Sequence, residues 1–422
     1  MQLPARFACS ILFAMTFLNL NAHASALPEM TVPQSFGMQI KTNAPEDLEA
    51  IHTLGLKFVR RGFHWEGIEK TKGVYDFSGM DPFMADARKN GVRVLGVLAF
   101  ANKLYGPVRE AEGRAAFAKY AAALAEHFKN DNVLWEVWNE PNTMTFWGKH
   151  GKKGNTEAYA IEYTALVKET VPAMKKADPN CFVMAGSVSC LWEPSFLWTD
   201  ACFKHGIMES GIDAWSVHPY GSHLPEENFS GYERVRKIMA ENKVPADFPM
   251  LNSERGYPVK KAEGWAGGPE SMSLPYQSWH LVRQYLTDQL AGIRVTIWYE
   301  WRGDEFGIFK DKDNVRPGYT ACKTLLEQLD GYKLSKRLPQ ASDNDYVLLY
   351  EKASGEQKLV AWTAPHSGES PDKTVNHDID ISTTATGTVE GSDLLGKKTQ
   401  LTVTDGKLKV SLSGSPQYIK VK

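Results

Sequence analysis

Between residue 36 and about residue 330, short apolar runs alternate with longer amphipathic ones, the pattern of strands that each lead into a helix. Strands are expected at Phe36–Ile40, Phe58–Trp65, Arg93–Ala99, Val133–Asn139, Cys181–Ser189, Ala214–Tyr220, Pro249–Glu254 and Val295–Trp301. Helices are expected between them, at Pro45–Leu54, Asp81–Asn90, Glu112–Phe128, Thr156–Ala177, Phe196–His205, Tyr232–Asn242, Pro275–Ala291 and Gly318–Leu329. Eight such pairs over ~300 residues predict an α/β fold, the (β/α)8 TIM barrel. A doubly wound open sheet gives the same alternation, but no strand here runs into a G-x-G-x-x-G turn.

After about residue 335 the helical period stops. Strand-like runs follow at Tyr346–Glu351, Lys358–Thr363, Thr374–Ile381, Thr388–Glu390, Leu401–Val403, Lys407–Ser411 and Gln417–Val421, separated by Gly, Ser and Asp. They predict a small antiparallel β-sandwich packed on the barrel flank. It carries no sharp chemical cluster, which leaves a structural role or a carbohydrate-binding one. The expected organisation is 1–26 as a leader, 27–334 as the barrel and 335–422 as the sandwich.

The leader reads as a secretory signal. Arg6 supplies the positive start, Phe7–Leu20 the apolar stretch, and Ala22-His23-Ala24 or Ala24-Ser25-Ala26 the small-x-small cleavage site. Cys9, Ser10, Thr16 and Asn19 interrupt the stretch, which is too short to span a bilayer. A secreted or periplasmic location is expected. Cleavage would remove Cys9 and leave Cys181, Cys190, Cys202 and Cys322, either as buried thiols or with a disulfide, of which Cys190–Cys202 is the favoured pairing. The cysteine spacing gives no zinc pattern. The net charge is −2, with no Lys/Arg cluster, which argues against nucleic acid or an anionic membrane as partner.

In a barrel of this kind chemistry sits where strands end. The fourth strand closes on Trp138-Asn139-Glu140-Pro141-Asn142, and Pro141 stops the ladder by lacking an N–H. The seventh ends Asn252-Ser253-Glu254-Arg255-Gly256, with Glu254 in the matching place. On a ring of eight these strands face each other across the mouth, so both carboxyls reach a sugar between them. Glycoside hydrolysis requires that: an acid for the leaving oxygen and a carboxylate for the oxocarbenium-like carbon. Glu136 shares the parity of Glu140 but lies deeper, where it is expected to pair with a buried cation.

Trp138-Asn139-Glu140-Pro141 on strand four, with Ser253-Glu254-x-Gly on strand seven, resembles glycoside hydrolase clan A. The longer string Glu136–Asn142 followed by Phe146-Trp147 is most similar to family 39 and related cellulase-type glycosidases. Val59-Arg60 and His64-Trp65 on strand two, and His218-Pro219-Tyr220 on strand six, fit the same group. The resemblance implies a retaining β-glycosidase acting on an oligo- or polysaccharide, with no cofactor or metal. It implies Glu140 as acid/base, Glu254 as nucleophile, and Asn139 as the partner of the reacting sugar's 2-hydroxyl. Arg60, rather than the adjacent Arg61, would keep Glu254 ionised; Tyr220 would orient it, His218 would line the same wall, and Trp298 would be the platform under the sugar.

Other readings stand beside these. His64 either binds sugar or bonds backbone, and Trp65, Trp135 and Trp138 are expected in the core. Trp301 competes with Trp298 as platform. Glu300 meets substrate hydroxyls or forms a salt bridge, while Asp304 and Glu305 read as loop acids. The loops expected to bind carry Asn142, Phe146 and Trp147 after strand four, Asn102, Lys103 and Tyr105 after strand three, and Trp192 and Glu193 after strand five. A Gly-rich loop from Pro258 to Ser273, with Trp265, follows strand seven. Twelve tryptophans and 16 tyrosines suit a protein that stacks aromatic faces on sugar rings. A transglycosylase with the same site and a non-catalytic glycan-binding barrel are the alternatives.

Overall fold

The computed structural model describes residues 27–148, 157–259, 273–311, 313–370 and 373–422. The expected leader and most of the Gly-rich loop with Trp265 lie outside these residues. Eight parallel strands close into a barrel in sequential order: β1 (Phe36–Gln39), β2 (Phe58–His64), β3 (Arg93–Ala99), β4 (Leu134–Val137), β5 (Phe182–Ser189), β6 (Ala214–His218), β7 (Met250–Arg255) and β8 (Thr296–Trp298). All eight strands and the eight principal helices predicted from hydrophobic period are present, with ends displaced by a few residues.

Alternation along each strand sorts the side chains. Phe58, Leu95, Leu134, Phe182, Ala214, Leu251 and Ile297 fill the barrel interior as a separate apolar cluster. Gly37 on β1 faces the same space, where a Cβ would come within 2.5 Å of the Phe58 Cβ, so only glycine fits. The opposite faces of the strands pack on the helices, as Val59, Trp135 and Met250 do in the main core. Two residues nearer the mouth the inward positions turn polar, with Arg60 on β2, Glu136 on β4 and Ser216 on β6, all buried. The apolar plug thus forms the floor of a charged site.

Beyond the barrel, a hairpin of β9 (Phe309–Asp311) and β10 (Asn314–Val315) precedes one antiparallel sheet of eight strands. In space these run β11 (Lys333–Arg337), β12 (Asp345–Glu351), β13 (Gln357–Thr363), β18 (Gln417–Lys420), β15 (Thr388–Ser392), β16 (Lys398–Thr404), β17 (Lys407–Leu412) and β14 (His377–Ser382). Val347, Leu359, Ile381, Val410 and Ile419 form their own core. These strands build the small antiparallel C-terminal β-domain that the sequence predicts, joined in one continuous order around that core. Tyr350 and Trp362 instead join the main core, and Trp362 Nε1 and Arg283 Nη2 both bond Glu226, at 2.8 and 2.5 Å. Cys181, Cys190, Cys202 and Cys322 are free thiols, so the Cys190–Cys202 pairing is not formed. Among the described residues no helix is long and apolar enough to cross a membrane.

Candidate active site

Strict alternation would turn Glu254 outward, because Leu251 lies in the barrel interior and Asn252 bonds Asp288 on the helix side at 2.8 Å. A β-bulge corrects this. Asn252 pairs with Thr296 and Arg255 with Trp298, so β7 spends three steps where β8 spends two. The extra residue brings Glu254 back to the mouth. On the facing wall, Trp138 and Glu140 adopt positive φ of 69° and 47°. Such left-handed turns at non-glycine residues cost energy and gather at functional sites. The surroundings hold them in place: the Glu140 N–H donates to Ser187 Oγ at 3.2 Å, and Thr143 N–H donates to the Glu140 carbonyl at 3.0 Å.

Arg60 joins the pieces from below. Its Nη1 donates to Glu254 Oε2 at 2.6 Å and to Gln39 Oε1 at 2.5 Å; Nε and Nη2 reach Glu136 Oε2 at 2.9 and 2.7 Å. Nη2 also meets Asn139 Oδ1 at 2.7 Å. Burial is the strongest influence on Glu136 and would raise it, yet the Arg60 charge, with His218 and the Ser216 and Ser253 hydroxyls, together outweighs burial and holds its carboxyl below the usual range. Ser216 Oγ donates to its other oxygen at 2.6 Å. The expectation that Glu136 serves a buried cation is met, and the cation is Arg60, the arginine the family pattern selects.

Tyr220 Oη donates to Glu254 Oε1 at 3.1 Å, and burial followed by the Glu254 charge pushes the phenol well up, so it remains a donor. His218 bridges the two walls, with Nδ1 3.2 Å from Glu140 Oε1 and Nε2 3.0 Å from Ser253 Oγ. Its exposure is 0%. It therefore positions Glu140 from behind and does not line a wall that substrate touches. Glu140, His218 and Glu254 each bring a ligand atom within 4.8 Å of the others. A divalent ion there would meet the Arg60 charge already on Glu254.

Two cavities meet at the carboxyl pair. One, of about 280 Å³, is lined by Glu254, Asn139, Arg60, His64, Phe146 and Tyr299, among others. Asn139 spends its carbonyl on Arg60, which leaves the NH2 end for a ligand. His64 is exposed here, as the sugar-binding reading expects. The second, of about 680 Å³, starts at Glu140 and Tyr220 and runs out past Trp192.

Three expected contacts are corrected. Trp298 has no exposed surface and turns to the helices, its Nε1 3.4 Å from the Phe306 carbonyl. Val295 and Ile297 face the barrel interior, so parity sends Tyr299, not Trp298, to the mouth. Trp301 is buried too, stacked on Phe309 with ring centres 4.4 Å apart. Trp147, 4% exposed, packs edge-on to Trp138 and bonds Glu162 through Nε1 at 2.8 Å. Its neighbour Phe146, stacked on Phe100, lines the cavity instead. Glu300 is fully buried and takes the salt-bridge reading, with Lys41 Nζ 3.0 Å away and burial pushing its carboxyl up to about 8. Gln39, Ser216, Ser253 and Tyr299 were not anticipated; alternation counted from Val295 would have found Tyr299.

The cellulase family (glycosyl hydrolase family 5) matches residues 20–248, just over half of the chain, including the Trp138–Pro141 motif and stopping short of β7. No curated protein matches the sequence. Similar solved structures include a family 39 glycoside hydrolase from the gut symbiont Bacteroides cellulosilyticus WH2, with TM-score 0.72 and 22% identity, covering 92% of this chain and 81% of that one. A monomeric β-xylosidase from Caulobacter crescentus CB15 aligns with TM-score 0.64 and 16% identity over 92% of this chain and 96% of that one. A family 30 endoxylanase from Clostridium papyrosolvens C71 aligns with TM-score 0.64 and 14% identity over the same shares, 92% and 96%. At these identities the likeness establishes the fold, and the sequence match establishes the family. The chain belongs to the cellulase family (glycosyl hydrolase family 5) and is a clan A glycosidase on a (β/α)8 barrel.

Proposed function

We propose that this glycosidase cleaves β-linked glycosides with retention, Glu254 acting as nucleophile and Glu140 as acid/base. The observation that carries the reading is the approach of the two carboxyls, with one oxygen of each within 4.8 Å. Retaining enzymes hold their carboxyls ~5–5.5 Å apart, whereas inverting ones need ~6.5–9.5 Å to admit a water. Glu254, held by Arg60 and oriented by Tyr220, attacks the anomeric carbon while Glu140 gives its proton to the departing oxygen. Water deprotonated by Glu140 then releases the sugar from Glu254.

His218 suits both stages. Its ring donates through Nδ1–H to ionised Glu140, and in the other tautomer accepts from protonated Glu140 while Nε2–H turns to Ser253. Asn139 donates to the 2-hydroxyl, and Tyr299 and Phe146 supply ring faces to the glycone. No step requires a cofactor. The leader-like start of the chain supports export to the periplasm or beyond. Transfer to another hydroxyl shares the same intermediate and is separated by product analysis with an added acceptor.

The test is the anomeric course of hydrolysis followed by proton NMR on an activated aryl β-glycoside. The β-anomer of the product should appear first; initial α-product contradicts the scheme. In parallel, Glu254→Ala should abolish turnover, and Glu140→Gln should spare mainly substrates with activated leaving groups.

A further inference from the structure

The larger of the two cavities is lined by Glu140 and not by Glu254, so it lies on the acid's side of the pair. If Glu140 protonates the departing oxygen, this space receives what departs. Its volume of about 680 Å³ lies within the ~300–1,000 Å³ of ligand-sized clefts. Trp192 stands at its rim, 55% exposed, and is the one aromatic among the large apolar side chains left exposed among the described residues. Asn228 also lines it, 3% exposed, and its Nδ2 has no hydrogen-bond partner among the described residues. An open indole face in a cavity also lined by the polar residues Ser222, His223 and Ser367 suits a ligand with one apolar face and hydroxyls at its edge.

The outer wall comes from the β-domain. A turn after β13 is closed on itself, Glu369 N–H donating to the His366 carbonyl at 3.0 Å. It is clamped to the barrel through Glu227, whose Oε1 accepts from Gly368 N–H at 2.6 Å and Ser367 Oγ at 3.2 Å. The other oxygen of Glu227 accepts from His223 N–H at 2.7 Å, so one carboxylate fixes both the loop after β6 and the β-domain turn. Ser367 and Gly368 line the cavity with Trp192.

We infer that the leaving-group side is a built subsite for a further sugar ring, with Trp192 as its platform and the Ser367–Gly368 turn of the β-domain as its outer wall. The inference rests on Glu140 being the acid, and it makes the β-domain part of the cleft. The leaving group is thus itself a saccharide.

The test compares substrates that fill this cavity with substrates that do not. β-Glycosyl fluorides leave it empty; β-linked tetrasaccharides of the xylo, cello, manno and laminari series occupy it. Trp192→Ala should lower the ratio of kcat/KM for the best tetrasaccharide to that for the matching fluoride about tenfold or more, equivalent to ~1.4 kcal/mol of transition-state binding. Ser367→Trp, a change at an exposed position, should lower the same ratio by narrowing the wall, with the thermal midpoint confirming the fold. A ratio that neither variant moves, or a wild type that cleaves a fluoride but no tetrasaccharide, overturns the inference and leaves the reading of the catalytic pair intact. Fluoride turnover that survives Glu254→Ala would overturn that reading instead.

Discussion

Arg60→Leu would remove the charge on which two carboxylates depend. The guanidinium is 2% exposed and sits 2.6 Å from Glu254 and 2.7 Å from Glu136, itself fully buried. Deleting one partner of a buried ion pair costs about 3–5 kcal/mol, mostly the penalty of the stranded charge. In the wild type Glu136 is held low, so its contribution is present above the unfolded carboxylate range and is lost only as pH falls through the lower folded value. Without Arg60, burial prevails and the folded value rises. The variant then loses stability progressively as pH climbs, because an ionised carboxylate must stay buried or take up a proton. The gap between the two proteins is therefore widest at neutral pH and narrows in acid. Urea unfolding followed by tryptophan fluorescence at about pH 7.5 should give a gap of about 3–5 kcal/mol, and at about pH 4.5 one smaller by about 1.4 kcal/mol or more. An equal gap at both pH values, or a variant as stable as the wild type at the higher one, would refute the reasoning.

Other substitutions separate packing from binding. Trp147→Ala should cost about 3–5 kcal/mol of stability in the same unfolding assay, whereas Phe146→Ala should leave the midpoint nearly unchanged and raise KM. Tyr299→Phe should keep turnover near the wild type, and Tyr299→Ala should lower kcat/KM by about tenfold; equal loss in both would show that the hydroxyl, not the ring face, matters. Glu300, pushed up to about 8 by burial, makes the wild type lose stability as pH rises from the unfolded carboxylate range through that value. Glu300→Gln should flatten the thermal midpoint over that window, and parallel curves for the two proteins would contradict the assignment.

The barrel was legible because hydrophobic period alone distinguishes buried strands from amphipathic helices, and Arg93–Ala99 and Pro45–Leu54 fall where the pattern placed them. The catalytic pair was legible from strand ends, but the way Glu254 reaches the mouth was not. A bulge is a register shift between neighbouring strands, and nothing in the Met250–Arg255 string marks it. Trp298 misled for a different reason: residue type suggested a platform while the two-residue alternation, visible in Val295 and Ile297, pointed to Tyr299. His218 was placed in the right cluster, yet its burial depends on Ser253 and Glu140 closing over both ring nitrogens. The role of the β-domain turn was out of reach, since Ser367 and Glu227 meet only through tertiary contact.

The most direct test of the central claim is a covalent trap. An activated 2-deoxy-2-fluoro β-glycoside, matched to whichever β-glycoside the protein turns over, should inactivate it in step with formation of a glycosyl-enzyme. Peptide mapping should then place the label on Glu254, with its release quickened by an added sugar acceptor. A label on any other residue, or inactivation without a covalent adduct, would contradict the account.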